Sequence, residues 1–364
     1  LALDEADVEA SLQHVLDRDG PRHRDLMGLF TENADRVVAL LDPGVDVSPA
    51  RYALIGACFT HEYSIEAAAV CNPSIVIRDV DADGTAHFVL SVRGIGEGHR
   101  STIGFRTGTV TSSGEVGVDE PSPFARTVLA TPGQHHRSVF HASMDLLGDD
   151  FTNISRFLAL LPPVFDDATL ARALDEVAAD VTIHRLDPET LGHVTELSRW
   201  SYVASFPDDA DVSERVLWPH APPEAWGMED ARMVRFVEED GTVVYYATYT
   251  AFDGSRTTIQ LLSTTDFATF DSSPVVGAGA QGKGLALFPR KVNGRYMALT
   301  RADRETNGIA TSDDLRHWPN HQLLQLPRES WEVLQLGNCG SPIELEEGWL
   351  VLTHGVGPMR TYSM

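Results

Sequence analysis

Residues 229–254, EDARMVRFVEEDGTVVYYATYTAFDG, contain two apolar segments separated by the dipeptide Asp240-Gly241. Asp-Gly is typical of two-residue hairpin turns, because both central residues of such a turn need a positive φ angle. The stretch therefore predicts a β-hairpin. An adjacent pair of carboxylates, Glu229 and Asp230, stands at the start of its first strand, although most surface carboxylates have no chemical role.

The same layout occurs at three other places: a short apolar strand with Pro or Ala near its start, a turn with glycine, and a second apolar strand. These copies are NPSIVIRDVDADGTAHFVLSVRG at 72–94, LFPRKVNGRYMALTRAD at 287–303 and SPIELEEGWLVLTHG at 341–355. The last three copies are spaced by roughly 50 to 60 residues, which is typical of propeller blades. We therefore predict an all-β five-bladed β-propeller. A β-sandwich would explain the hairpins but not the long period.

Helical periodicity indicates two additions to this propeller. Residues 1–50 are expected to form an N-terminal helical extension, with β-strands from about residue 52 onward. A helical insertion at about 124–180 is expected within a catalytic propeller domain of residues 51–364. The last copy stops in mid-strand, so we expect a truncated C-terminal blade. The apolar helix faces must be buried on the propeller rim or on a neighbouring subunit, which favours a homo-oligomer.

Composition excludes several classes of partner. The chain has 364 residues and a formal net charge of −25, so neither a nucleic acid nor an anionic membrane surface is expected as a partner, because phosphate backbones are bound by clustered Lys and Arg. No run of about 18 apolar residues occurs, so no membrane span is expected. Three cysteines without CxxC spacing favour a cytoplasmic location. The histidines show neither HxH nor HExxH spacing, so no metal site is expected.

Aligned positions in the four copies predict a common site. The innermost strands of propeller blades line a central channel, so equivalent positions in different blades face the same space. The residues just before the Pro or Ala position are Asn72, Asp230, Phe288 and Ser341, and those at the end of the second strand are Arg93, Ala251, Arg301 and His354. Lys291 and Arg256 could join this cluster. Basic residues opposite one carboxylate predict a site that binds an anion next to an acid.

Six ordered motifs strengthen this interpretation: NPSIV, GMEDARM, YTAFDGSR, LFPRKVNGRY, SDDLRHW and GWLVLTHGV. Together they resemble glycoside hydrolase family 130, over about residues 70 to 364. Members of that family are five-bladed propeller enzymes, mostly inverting β-mannoside phosphorylases, with some β-mannosidases. The proton donor of the family is the Asp of its Glu-Asp-Pro-Arg motif, which falls on Asp230. The Pro of the motif is replaced here by Ala231.

The resemblance implies roles for further residues. The phosphate-binding residues of the family fall on Arg256, Lys291, Arg301 and His354. The expected substrate-binding residues are Asn72, Arg93, Glu229, Arg232 and Asp253. Of these, Arg232 matches the Arg of the family motif, and Glu229 could pair with Arg232 or support Asp230.

The reaction that the resemblance implies is inverting phosphorolysis of β-mannosides, such as manno-oligosaccharides, to α-mannose 1-phosphate. This is physically coherent, because phosphate is already anionic and needs only cations to hold it, whereas water would need a second carboxylate to activate it. Inorganic phosphate is thus the expected co-substrate, and no cofactor is expected. Two alternatives stay open: a β-mannosidase of the same family, and a propeller that binds carbohydrate without turnover.

Overall fold

A computed structural model describes residues 2–38, 40, 46–145, 151–179 and 186–364. The chain divides into two compact units, Leu1–Ser64 with Ser122–Ala125, and Ile65–Pro121 with Arg126–Met364. Residues 1, 39, 41–45, 146–150 and 180 of the predicted helical regions lie outside the described residues, as do residues 181–185 beyond them. The boundary between the units falls later along the chain than the predicted end of the helical extension at residue 50.

The first unit is helical. It contains α1 Glu5–Asp19, α2 Leu26–Val38 and α3 Pro49–Cys58. The apolar faces of these helices meet in a cluster formed by Leu12, Leu26, Phe30 and Ala53. At Gly56 a Cβ atom would lie 1.8 Å from the carbonyl oxygen of Phe30, so the close approach of α2 and α3 requires glycine there.

The strands expected from about residue 52 begin later in the structure. Ser48 accepts a hydrogen bond from the Arg51 amide and Pro49 occupies the first turn, so α3 starts with a regular cap and continues to Cys58. The first strand begins at Ala69. The prediction of β-structure over 52–58 was therefore wrong, because a short apolar segment does not distinguish a buried strand from a helix.

The second unit is mostly β-structure, and its strands form groups in which neighbouring strands pair antiparallel. The first two groups are joined in one sheet by a parallel pairing between Gly227 and Ser101. The first group contains β1 Ala69–Val80, β2 Ala86–Ile95, β3 Ser101–Val110 and β4 Val116–Val118. The insertion that follows contains β5 Thr131–Pro132, β6 His135–His136, α4 Arg137–Asp145, α5 Phe151–Leu160, β7 Val164–Phe165, α6 Asp167–Ala179 and α7 Pro188–Ser198. The predicted helical insertion at 124–180 is thus extended by α7, which Asp187 caps through the amides of Glu189 and Thr190.

Three further groups complete the unit over its described residues. The second group contains β8 Tyr202–Ser205, β10 Gly227–Val237, β11 Val243–Phe252, β12 Thr257–Thr264 and β13 Thr269–Val275. The short strand β9 Val216–Leu217 pairs with β3 of the first group instead. The third group contains β14 Lys283–Leu287, β15 Tyr296–Arg301, β16 Asn307–Ser312 and β17 His321–Gln325. The fourth group contains β18 Gln335–Asn338, β19 Ile343–Leu345, β20 Gly348–Leu350, β21 Thr353–Val356 and β22 Tyr362–Ser363.

Hydrophobic side chains fill the space between successive groups. Phe105 of the first group and Met233 of the second belong to one buried cluster, and Phe236 of the second and Trp318 of the third belong to another. Phe288 of the third group packs against Trp349 of the fourth. The groups therefore pack on one another in chain order.

The helices of the insertion have a separate core. It contains Phe140, Phe157, Leu161, Leu170, Val177 and Val194 from α4 to α7 and the α5–β7 loop. Because the apolar faces of α4–α7 pack against one another, and those of α1–α3 do the same, these faces do not by themselves require a second subunit. The homo-oligomer expected from them stays a prediction.

Three groups share an irregularity in their innermost strand. Pairing shifts by one residue between Cys71 and Ser74 in β1, between Glu229 and Arg232 in β10, and between Lys283 and Ala286 in β14. Each shift is a β-bulge, in which two residues oppose one on the partner strand. Asn72, Asp230 and Gly284 stand at the first bulged position with φ angles of 50°, 55° and 84°. Phe288, the position predicted to match Asp230 in the third copy, instead lies further along in the core at 3% exposure.

The turns also differ from expectation at two of the hairpins. Asn293 and Gly294 both have positive φ and form the predicted two-residue turn. At Gly84 and Gly241, only the glycine has positive φ. There the hydrogen bonds close three-residue loops between Asp81 and Thr85 and between Glu238 and Thr242. Such loops end in a left-handed residue, so Asp-Gly suits them equally well.

A substitution at Trp318 tests how much the core between the second and third groups contributes to stability. Its side chain has no exposed surface, and its indole N–H donates to the Leu315 carbonyl at 2.8 Å. We expect Trp318→Ala to lower the free energy of unfolding by about 3–5 kcal/mol, because it leaves a large cavity. Trp226→Ala, at a residue that is 56% exposed, should change it by about 0.5 kcal/mol or less. Chemical denaturation of both variants measures the difference, and equal losses would contradict the assignment of this core.

Candidate active site

A cleft of about 890 Å³ opens where the innermost strands of the four groups meet. Its lining contains Asn72, Arg93, Asp230, Arg232, Ser255, Arg256, Thr257, Thr258, Gly282, Lys283, Arg301, Arg304, Gln335, His354, Arg360 and Tyr362. Seven of these residues are Arg or Lys, and Asp230 is the one carboxylate among the described lining residues. A strongly acidic chain thus forms a locally basic cleft.

Arg93 bridges the two carboxylates whose adjacency is conspicuous in the sequence. Its Nη1 donates to Asp230 Oδ1 at 3.0 Å and its Nη2 donates to Glu229 Oε1 at 2.8 Å. Its Nε donates to the Ser101 hydroxyl at 2.9 Å, which fixes the orientation of the guanidinium. The other oxygen of Glu229 accepts a hydrogen bond from Lys283 Nζ at 2.6 Å. Both oxygens of Glu229 are therefore occupied by cations.

The β-bulge in β10 sets the direction of the Asp230 side chain. The left-handed backbone at Asp230 interrupts the alternation of the strand, while its neighbour Ala231 is buried in the core at 7% exposure. The Asp230 side chain is 29% exposed and lines the cleft. Its Oδ2 atom has no hydrogen-bond partner among the described residues. This oxygen is accessible to a molecule bound in the cleft.

Arg232 is held by neutral groups rather than by an acid. Its Nη1 donates to the backbone carbonyl of Asn338 at 2.7 Å and also contacts the Asn338 side-chain oxygen. The Asn338 amide group in turn donates to the Gly284 carbonyl at 2.7 Å. Burial lowers the pKa of Arg232 to about 10, so it remains charged at neutral pH. The network fixes a positive charge at the inner end of the cleft.

Arg301 and His354 lie beside each other at the fourth group. Burial lowers the pKa of the Arg301 guanidinium, and the buried Nε of Arg301 has no hydrogen-bond partner in the described part of the chain. Burial, Arg232 and Arg301 together lower the pKa of His354. The lowered pKa of His354, which was predicted as a basic residue, favours its neutral imidazole form in the free protein near pH 7.

The backbone of the fourth group makes room for this imidazole. A Cβ atom at Gly337 would lie 2.5 Å from Cε1 and 2.6 Å from Nε2 of His354. The Nδ1 atom of His354 lies 3.6 Å from the Cys339 thiol, and the Tyr362 ring stacks at a centroid distance of 5.8 Å. His354 is thus confined on several sides before any ligand binds.

Most of the predicted site residues meet in this cleft. Asn72, Arg93, Asp230, Arg232, Arg256, Arg301 and His354 all line it. Glu229 stands behind Arg93 and Lys283. Asp253 accepts the backbone N–H groups of Ser255 and Arg256, both at 2.7 Å, and so shapes the turn that carries them.

Lys291 does not line the cleft. Its Nζ pairs with Glu239 at 3.1 Å and lies 4.9 Å from the centre of the Tyr296 ring. The alignment of the third copy on Pro289 caused this misplacement, because the bulge of that copy lies at Gly284. Lys283, which pairs with Arg301 across the strands as Cys71 pairs with Arg93, was missed for the same reason.

A possible cation site lies away from the cleft. Among the described residues, Asp79, Asp81 and His87 have ligand atoms within 4.8 Å of one another. Asp81 already accepts a hydrogen bond from His87 at 2.9 Å, and Asp79 pairs with Arg78. These exposed pairs account for the arrangement without an ion. No described helix combines the length and the apolar character that a membrane span requires.

Comparison with known proteins assigns a class to part of the chain. The sequence model of glycoside hydrolase family 130, described as beta-1,4-mannooligosaccharide phosphorylase, matches residues 209–363. The predicted resemblance is therefore confirmed: residues 209–363 belong to this family. The match includes the acid and most cations of the cleft. Asn72 and Arg93 lie outside it.

Three similar curated proteins are phosphorylases. The chain is 30% identical over 154 residues to the beta-1,2-mannobiose phosphorylase of Listeria innocua, covering 41% of this chain and 42% of that protein. It is 33% identical over 147 residues to a 1,2-beta-oligomannan phosphorylase of Thermoanaerobacter, covering 39% and 47%. It is 32% identical over 137 residues to the beta-1,4-mannooligosaccharide phosphorylase of Ruminococcus albus, covering 36% and 39%. The matched region thus spans less than half the length of these relatives.

A solved structure of the Listeria innocua beta-1,2-mannobiose phosphorylase, in complex with beta-1,2-mannobiose, is also similar. It has a TM-score of 0.41 and 19% identity, over 80% of this chain and 69% of that chain.

The titration of His354 tests the electrostatics of the cleft. Because its pKa is lowered in the folded protein, less than half of His354 should be protonated at pH 6.5, the ordinary pKa of histidine. We expect Arg301→Ala to raise the His354 pKa, because one positive neighbour is lost. Arg235→Ala, at an exposed position outside the lining, should leave it unchanged. NMR titration measures both, and a His354 pKa above 6.5 in the free wild type would contradict the arrangement.

Proposed function

We propose that this protein is a β-mannoside phosphorylase that inverts the anomeric configuration and releases α-mannose 1-phosphate. The observation that carries the proposal is the make-up of the cleft: one carboxylate, Asp230, faces Arg256, Arg301 and His354. The match of residues 209–363 to a family described as a phosphorylase supports it, as do the similar mannoside phosphorylases.

In the proposed reaction, an oxygen of inorganic phosphate attacks the anomeric carbon of the mannosyl unit. The bond from that carbon to the leaving sugar breaks, and Asp230 donates its proton to the leaving oxygen. One acid and a bound anion suffice, because the nucleophile needs no base. Glu229 is the carboxylate adjacent to Asp230 in the sequence, but Arg93 and Lys283 occupy both of its oxygens. It is therefore a poor candidate for the base that a hydrolase would need.

The same cations explain how phosphate binds to an acidic protein. Arg256 and Arg301 have no acidic partner among the described residues, so their donors are available. Phosphate in contact with His354 would stabilise the imidazolium and raise its pKa, which couples phosphate binding to proton uptake. Asn72, Arg93 and Arg232 are the proposed sugar contacts beside Asp230, and Asp253 holds the turn of Arg256.

We further propose that the groups of strands are blades of a five-bladed propeller, which their packing in chain order supports. A reducing, cytoplasmic location is proposed from the three free cysteines. The proposed homo-oligomer is supported by Leu323 and Leu324 of β17 and the nearby Leu326, which are all more than half exposed. The proposed partners are therefore a manno-oligosaccharide, phosphate and further copies of the chain.

The decisive experiment follows products from β-1,2- and β-1,4-linked manno-oligosaccharides with and without phosphate. We expect phosphate-dependent release of mannose 1-phosphate. Free mannose released at the same rate without phosphate would establish a β-mannosidase instead. Oligosaccharide binding without any product in either condition would indicate a carbohydrate-binding protein.

Asp230→Asn tests the proton donor. We expect phosphorolysis to fall by about 10²–10⁴-fold, the usual contribution of a general acid, while the melting temperature changes little because the side chain lies in the cleft. Asp313→Asn provides the control, since Asp313 is 82% exposed and pairs with Arg295 on the surface. A folded Asp230→Asn enzyme with near-normal turnover would disprove the role of Asp230.

A pair of lysine variants tests which lysine belongs to the phosphate site. Lys283→Ala should raise the KM for phosphate about tenfold or more, because Glu229 would lose one of its two cations and its negative charge would then repel phosphate in the cleft. Lys291→Ala should change it less than about twofold, because an exposed ion pair outside the cleft contributes little. Steady-state kinetics at varied phosphate concentration compares them. The opposite order would restore Lys291 to the site and remove Lys283.

A further inference from the structure

The cleft contains more positive charge than one phosphate ion requires. Of its seven Arg and Lys residues, Arg93 and Lys283 are neutralised by Asp230 and Glu229. Five cations remain without an acidic partner among the described residues. A phosphate group carries about 1.5–2 negative charges at neutral pH. A surplus of about three positive charges therefore remains when phosphate is bound.

Two of these five cations are half-buried and three are exposed, and one of the exposed three is Arg256, which the proposed reaction assigns to inorganic phosphate. Arg232 and Arg301 are half-buried, next to His354 and Asp230, where the proposed phosphorolysis takes place. Arg304 and Arg360 are exposed at the mouth of the cleft. Each outer arginine follows an inner residue along the chain, because Arg304 closes the turn that starts at Arg301 and Arg360 lies in the loop that follows His354.

The charges of the outer arginines, Arg304 and Arg360, are not compensated by any described acidic residue in the free protein. The guanidinium groups of Arg304 and Arg360 form no hydrogen bond or ion pair with any described residue, although the chain has an excess of acids. Both have left-handed backbones, with φ of 68° and 55°, where glycine or asparagine would be the less strained choice. Unpaired like charges in one cleft repel one another, so a bound anion would stabilise this arrangement.

We propose that Arg304 and Arg360 form a second anion site, which binds an oxyanion, either a carboxylate or a phosphate, carried by the leaving sugar of the substrate. This inference rests on the proposed phosphorolysis, which assigns the inner cations to inorganic phosphate and the mouth of the cleft to the leaving sugar. Arginine suits the task, because its planar donor array matches both kinds of oxyanion. The Tyr362 ring lies next to His354 and lines the same cleft, so it offers an apolar face for the sugar between the two anions.

Synthesis in the reverse direction tests this site with matched acceptors. Mannose, mannuronate and mannose 6-phosphate differ only at carbon 6, and each would accept mannose from α-mannose 1-phosphate. We expect the wild-type enzyme to use at least one anionic acceptor about tenfold better than mannose, measured as kcat/KM, because each charge-assisted contact contributes about that much. The carboxylate and phosphate acceptors distinguish the two sources of the anion.

Arg304→Gln and Arg360→Gln should each lower the ratio of kcat/KM for the anionic acceptor to kcat/KM for mannose about tenfold. The KM for mannose 1-phosphate should change by a smaller factor than this ratio. Arg235→Gln removes one exposed arginine outside the cleft and should retain the wild-type preference. Equal use of the three acceptors by the wild type would overturn the second site. The second site would also be overturned if the variants lost affinity for mannose 1-phosphate by the same factor as they lost preference for the anionic acceptor. The outer arginines would then bind the phosphate of mannose 1-phosphate.

A binding measurement separates this inference from the proposed reaction. Calorimetric titration of mannose 6-phosphate is carried out with and without saturating inorganic phosphate. Undiminished binding in the presence of phosphate supports two sites, whereas competition between them overturns the proposal. If none of the acceptors is turned over but mannose 6-phosphate still binds beside phosphate, the proposed reaction fails and the second anion site stands.

Discussion

The ion pairs of Glu229 are the constraint on which the site depends. This carboxylate is 14% exposed, and a poorly hydrated charge must be paired to be tolerated. Arg93 comes from the first group of strands and Lys283 from the third, so Glu229 connects three groups. The adjacent carboxylates in the sequence thus have different tasks. Glu229 holds the cations and the sheets together, and Asp230 keeps one oxygen available for chemistry.

The charge distribution is compatible with the proposed binding of anions by an acidic chain. At a net charge of −25, the distant field repels phosphate, but salt screens that repulsion beyond about 8–10 Å. Within the cleft the low dielectric strengthens the attraction of Arg232 and Arg301 for a bound anion. Affinity is therefore a local property of half-buried side chains. The acidic exterior contributes to solubility without cancelling the affinity of the cleft for an anion.

Local patterns were sufficient to predict the hairpins, and the alignment of the copies was sufficient to predict that Asp230 lines the cleft. The Asn293-Gly294 turn and the alternating strands on either side of it are properties of adjacent residues, so the sequence shows them directly. The bulge at Gly284 is different, because it depends on how β14 pairs with β15. Pro289 is conspicuous in the sequence, but the bulge is not, and Lys291 was therefore placed in the site instead of Lys283.

Helix boundaries were missed for a different reason. The apolar residues of α3 resemble a strand, and only the Ser48-Pro49 start indicates a helix. The same signal, Asp187-Pro188, precedes α7. Burial is set by packing between segments that are far apart in the chain. Composition could not show that these helices cover their own apolar faces.

The bulge shared by three groups has a consequence for how such a site changes during evolution. Asn72, Asp230 and Gly284 occupy the same backbone position, yet one carries an amide, one an acid and one no side chain. The position lies outside the strand alternation, so its side chain does not contribute to the core. Natural selection can therefore exchange the chemical groups around the cleft one group of strands at a time while the sheets keep their stability. At Gly284 the same position carries no side chain, and Arg232 lies close to the space that a side chain would fill. A Cβ atom at Gly284 would lie 3.7 Å from Nη2 of Arg232.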